Sequence, residues 1–90
     1  MIKEILKIVN DRGLHARAAA KFTATAERFE AEIRVSNGRE SVNGRSIMGL
    51  LLLGAARGTK VTVWAEGKDA SPAMSAIIEL VADGFGEDKS

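Results

Sequence analysis

The 90-residue sequence has no cysteine, one proline, one tryptophan and one histidine. Without cysteine there is no disulfide, no zinc-thiolate site and no thiol nucleophile. A lone histidine, with no carboxylate pair at a spacing suited to acid/base work, leaves no metal set and no self-sufficient catalytic constellation. No Gly-rich loop of the nucleotide-binding type is present. Neither sign of charge dominates: 13 Lys and Arg face 12 Asp and Glu, a net charge of +1. The charges are mixed along the chain without a long basic block, which argues against a nucleic-acid partner. Lys3, Glu4 and Lys7 interrupt the N-terminal segment, so it is not a signal-peptide apolar region. No apolar run approaches membrane-spanning length. The expectation is a cytoplasmic protein without membrane insertion.

What remains is enough for one folded domain over residues 1–90, with 46% hydrophobic residues. Ile2, Leu6 and Ile8 oppose Lys3 and Lys7 in a half-buried strand. Asn10-Asp11-Arg12-Gly13 has turn chemistry. Residues 16–29 read as a helix, with Ala18, Phe22, Ala26 and Phe29 at helical spacing. Alternation returns over 32–36, Asn37-Gly38 signals a two-residue hairpin, and a short strand near 40–42 follows. Ser46 has the character of an N-cap before a short helix over 47–53, and Gly54 suits its end. The clearest strand runs over 59–66, with Val61, Val63 and Ala65 on one face. Asp69 or Ser71 can cap a last helix with Pro72 in its first turn. Its apolar stripe is Met74, Ile77, Ile78, Val81 and Phe85. Residues 87–90 read as a frayed tail. The order β-α-β-β-α-β-α, with a polar face on every strand, predicts an α+β fold: one antiparallel sheet, solvated on one side and covered by helices on the other.

His15 stands in Gly13-Leu14-His15-Ala16-Arg17, immediately before the first helix. Unpaired N–H groups and the positive end of the helix dipole favour an anion there. Arg17 opposes that dipole as a helix residue, unless it meets an anion. Arg12 can add a second cation. A neutral imidazole nitrogen is a nucleophile, and these groups would stabilise a phosphoryl group placed on it. A nucleophile without its own machinery suggests a carrier served by partner enzymes. The alternative for a single histidine is an ordinary structural or surface role.

The second constellation is Ser46-Ile47-Met48-Gly49-Leu50-Leu51-Leu52-Leu53. Four consecutive leucines on a helix cannot all face one core, so part of Met48, Leu51 and Leu52 is expected at the surface. It is either the edge of a buried short helix or an apolar docking patch. A phosphoryl group on Ser46 would sit at a helix N-terminus and add negative charge to that patch.

Gly13-Leu14-His15-Ala16-Arg17 with Ala19-Ala20 and Phe22, followed by Ser46-Ile47-Met48-Gly49, resembles the histidine-containing phosphocarrier family HPr. This is a component of the bacterial phosphoenolpyruvate-dependent phosphotransferase system. The resemblance runs over essentially the whole chain. It implies an open-faced β-sandwich, with a four-stranded antiparallel sheet covered on one face by three helices. It implies phosphorylation of His15 on Nδ1 by phosphorylated enzyme I and donation to an enzyme IIA-type protein, with no cofactor. Arg17 matches the family's phosphate-supporting arginine, with Ala16, Ala18 and Arg12 as further support. Ser46 matches the serine that an HPr kinase/phosphorylase modifies in many bacteria. Ile47, Met48, Leu51 and Leu52 fall in the partner-docking region. Ala18 replaces the family's usual proline, which looks like proteobacterial variants, including the nitrogen-related branch. A monomer is expected, since a carrier presents one face to successive partners. Two other readings stand beside the carrier. One is a regulatory module that binds a transcription factor or metabolic enzyme through Met48–Leu53. The other is a ferredoxin-like small-ligand domain, which leaves His15 and Arg17 unexplained.

Overall fold

The computed structural model describes residues 1–87. Strand β1 is Ile2–Lys7, helix α1 Ala16–Ala26, β2 Glu32–Ser36, β3 Ser41–Asn43, α2 Ile47–Leu52, β4 Lys60–Glu66 and α3 Ala70–Ala82; a 3-10 turn, Gly84–Gly86, follows. The four strands form one antiparallel sheet in the order β1-β4-β2-β3. This is the α+β open-faced sandwich expected. Ile33, Val35, Val61, Val63 and Ala65 point from the sheet into the core, where they meet Ala18, Ala19, Phe22 and Ala26 of α1, Leu50 of α2, and Ala73, Met74, Ile77 and Val81 of α3. The small alanines let α1 approach closely, and Phe22 fills the space between. On the open face Trp64 is half-buried between its register partners Lys3 and Arg34. Among the described residues no helix is long and apolar enough to cross a membrane.

Several boundaries differ from the sequence reading, each for a local reason. Helix α1 ends at Ala26 rather than continuing to Phe29. Arg45 reaches across, and its Nη2 donates to the carbonyls of Ala26 and Phe29 at 3.3 and 2.7 Å, satisfying acceptors that a helix end leaves open. The hairpin tip is Gly38-Arg39, one residue later than Asn37-Gly38. The Asn37 N–H donates to Glu40 O at 3.2 Å, while the Asn37 side chain accepts from the N–H groups of Arg39 and Glu40. Asp69 occupies the N-cap position of α3 but spends its carboxylate on the Glu30 N–H at 2.8 Å.

The last apolar stripe is also broken. Ile78 is exposed and takes no part in the core. Phe85 is fully buried, yet it sits beyond α3 in the 3-10 turn with φ +59. A bulky residue in that region is held there by its surroundings. Here they are the core around the ring and Lys21 of α1, whose Nζ donates to Phe85 O at 2.7 Å. The turn thereby delivers Glu87 to the N-terminal end of α1. Glu87 is thus placed where a frayed tail was expected; the remainder of that expected tail, 88–90, lies outside the described residues.

Candidate functional site

Asn10 to Leu14 form a tight loop between β1 and α1. The Gly13 N–H donates to Asn10 O at 3.1 Å, and the Leu14 N–H donates to Ala55 O at 2.8 Å. Gly13 has φ +66, and a Cβ there would lie 2.4 Å from Ala55 O. Only glycine fits both the angle and the approach. Leu14 is buried and anchors the loop, and His15 follows it as a half-buried residue at the start of α1.

His15 is the N-cap of α1, with extended backbone and its carbonyl accepting from Ala19 N–H at 2.8 Å. Its ring takes the place of the usual capping oxygen. The Arg17 N–H donates to His15 Nδ1 at 3.3 Å. On the other side of the ring, Nε2 meets Oε2 of Glu87. An ionised carboxylate only accepts, so Nε2 carries the proton and Nδ1 keeps its lone pair. The two side chains are mostly covered, with relative exposures of 22% and 19%. The second carboxylate oxygen of Glu87 accepts from Asn10 Nδ2 at 3.1 Å, and that same amide donates to Gly13 O at 2.8 Å.

Arg17 and Arg12 are exposed, and among the described residues neither guanidinium forms an ion pair. Ala16 is exposed, whereas Ala18 is fully buried, so only the backbone of Ala18 is available to the site. Among the described residues no cluster of three or more His, Cys, Asp or Glu is placed to hold a metal ion.

The hydrogen bond from His15 is the main reason the Glu87 carboxyl lies below the ordinary carboxylate range. Loss of water around the group pushes the other way. The Asn10 hydrogen bond, the charge His15 carries when its ring is protonated, and the charge of Arg12 add to the lowering. Since the folded value is the lower one, this contact's contribution to stability is complete above the ordinary glutamate pKa. It is lost as pH falls through the depressed folded value. A carboxyl carbon titration by NMR is expected to place Glu87 below an unstructured glutamate, and His15→Ala should move it back up. Coincident midpoints in the two proteins would contradict the contact.

Ser46 caps α2, its hydroxyl accepting from Gly49 N–H at 2.9 Å. Leu50 and Leu53 are buried and Leu51 is half-buried against the core. Met48 and Leu52 are 70% and 71% exposed, and Ile47 is 41% exposed. Helix α2 packs against α1, so this apolar surface and His15 belong to neighbouring elements. Glu87 and Asn10 are the two site residues that the sequence reading missed. The one available signal for Asn10 was its place at the start of the turn run Asn10-Asp11-Arg12-Gly13; Glu87 had none.

The family model described as the PTS HPr component phosphorylation site matches residues 2–83. The chain is 46% identical over 87 residues to the phosphocarrier protein HPr of Neisseria meningitidis, covering 97% of this chain and 98% of that protein. It is 41% identical over 80 residues to the phosphocarrier protein NPr of Shewanella violacea, covering 89% and 88%. The crystal structure of HPr from Thermoanaerobacter tengcongensis superposes with a TM-score of 0.93 at 41% identity, covering 98% of this chain and 99% of that one. A matched phosphorylation-site family, relatives aligned nearly end to end and a shared fold agree: the chain belongs to the HPr phosphocarrier family of the phosphotransferase system.

Proposed function

We propose that His15 accepts a phosphoryl group on Nδ1 from phosphorylated enzyme I and passes it to an enzyme IIA-type protein. The observation that supports this most is the state of the ring: Nδ1 holds its lone pair at the N-terminus of α1, with Arg17 in the same turn. The lone pair attacks phosphorus. The new P–N bond forms as the bond to the donor breaks, and those electrons leave with the donor. Arg17 N–H, released from Nδ1, then meets a phosphoryl oxygen. The Arg17 and Arg12 guanidinium groups, with the N–H groups of Ala16 and Ala18, spread the remaining negative charge. Donation is the reverse, with the acceptor as nucleophile. The whole chain acts as one phosphocarrier domain in the cytoplasm, without a cofactor of its own.

Incubation with labelled phosphoenolpyruvate and enzyme I tests this directly. Both a sugar-type and a nitrogen-type enzyme I are needed, since the preferred one assigns the branch. The expected product is acid-labile and alkali-stable, as a phosphohistidine is. Absence of label with both enzymes, or acid-stable label, would sink the reading.

Ile47, Met48, Leu51 and Leu52 form the docking surface in this reading, and Ser46 is its switch under an HPr kinase/phosphorylase. The exposure of Met48 and Leu52 supports this, because neither contributes to the core. The same patch would serve a regulatory partner. Met48→Asp and Leu52→Asp are expected to keep the melting temperature within a few degrees while slowing phosphoryl transfer roughly tenfold. Ser46→Asp keeps a good cap and adds the charge alone, so it should slow transfer without unfolding α2. Wild-type rates in all three proteins would place docking elsewhere. We also propose a monomer, although a solved HPr from Thermoanaerobacter tengcongensis is described as a dimer. Sedimentation at working concentration separates the two.

A further inference from the structure

The geometry points to Glu87, braced by Asn10, as a positioning residue that holds the His15 ring with its proton on Nε2 and its lone pair on Nδ1. This rests on the phosphocarrier reading for its purpose, but its structural half stands without it. Glu87 joins the His15 Nε2–H through one oxygen and the Asn10 amide through the other. Asn10 is buried and also grips Gly13 O, two residues before His15. The carboxylate is therefore held from behind by the same loop that presents the ring.

The orientation of Asn10 strengthens the argument. Its Oδ1 is buried and has no hydrogen-bond partner among the described residues. Turning the amide over would bring Oδ1 against Gly13 O and the Glu87 carboxylate, so that three acceptors would meet with no proton among them. Gly13 O and Glu87 together thus fix the donor end of the amide toward the carboxylate.

An imidazole oriented by a carboxylate has a defined tautomer and a more basic free nitrogen. That is what an Nδ1 nucleophile needs. As the P–N bond forms, the ring gains positive charge while its Nε2 proton stays in place. The neighbouring carboxylate offsets that charge, and on donation the ring returns to neutrality with the same proton. No proton has to enter or leave during either step.

Two variants and two readouts test this on the full chain. Ring-nitrogen NMR at a pH where His15 is neutral reports the tautomer, and label uptake from enzyme I reports the rate. The wild-type ring should show a protonated Nε2 and an unprotonated Nδ1. Glu87→Leu should mix the two tautomers and slow uptake roughly tenfold, in line with removing an orienting partner from a functional histidine. Glu87→Gln keeps one acceptor, but its NH2 must face either the Asn10 amide or the ring, so its ring pattern and its rate should both fall between wild type and Glu87→Leu. A wild-type ring pattern in Glu87→Leu overturns the proposal, and so does a wild-type rate. If no protein takes up label, the carrier reading fails, and the ring pattern still decides whether Glu87 sets the tautomer.

Discussion

His15→Ala is expected to take up no phosphoryl label from phosphorylated enzyme I, a fall in rate of roughly a thousandfold or more. The physical reason is the absence of a substitute. The chain has no second histidine and no cysteine, so nothing else offers an imidazole or a thiolate. Arg17 and the helix terminus carry positive charge but have no nucleophilic atom to form the covalent bond. The variant should fold, because the ring is at the surface end of α1 and its loss removes a cap worth about 1 kcal/mol. Circular dichroism before the assay separates lost chemistry from lost structure. Full uptake of acid-labile label by folded His15→Ala would move the site elsewhere.

Gly13→Ala is expected to destabilise the protein by about 2–4 kcal/mol, a large loss for a small domain. Alanine at φ +66 carries a left-handed penalty of roughly 1–2 kcal/mol. Its Cβ would also stand 2.4 Å from Ala55 O and 2.9 Å from Ala56 Cα, and both are backbone atoms that cannot swing aside. One of the two strands of chain must move. The hydrogen bond from Leu14 N–H to Ala55 O, 2.8 Å long, would be lost or stretched, adding about 1 kcal/mol. A urea titration should show a lower midpoint, and the melting temperature should drop by something on the order of 10–20 °C. Phosphoryl uptake should fall as well, because Gly13 O anchors the Asn10 amide behind Glu87. An unchanged midpoint would mean that the loop opens away from Ala55 without cost.

What the sequence makes legible divides along the range of the interactions. Strands with alternating polarity and helices with an apolar stripe were legible, because each residue's face follows from its own neighbours in the chain. The N-cap places of His15 and Ser46 were legible for the same reason: capping is a contact over two or three residues. Boundaries failed where a distant side chain intervened. Arg45 closes α1 from 19 residues away in the chain. The hairpin tip moved for a local reason instead, because the Asn37 side chain accepts from the N–H groups of Arg39 and Glu40.

The site divides in the same way. The amino-acid sequence alone determined that the one histidine opens a helix with Arg17 in its first turn and that the chain has neither a second histidine nor a cysteine, and it raised the expectation of surface apolar residues next to Ser46. These follow from composition and spacing over a few residues. Only the tertiary structure decided what holds the far side of the His15 ring, because Nε2 meets Glu87, 72 residues away, whereas the Arg17 N–H at Nδ1 is a local contact. Glu87 arrives there through Phe85, whose left-handed turn is set by core packing and by Lys21, and local propensity argues against that turn. A residue that the pattern of the chain assigns to a loose end thus becomes the partner of the one histidine.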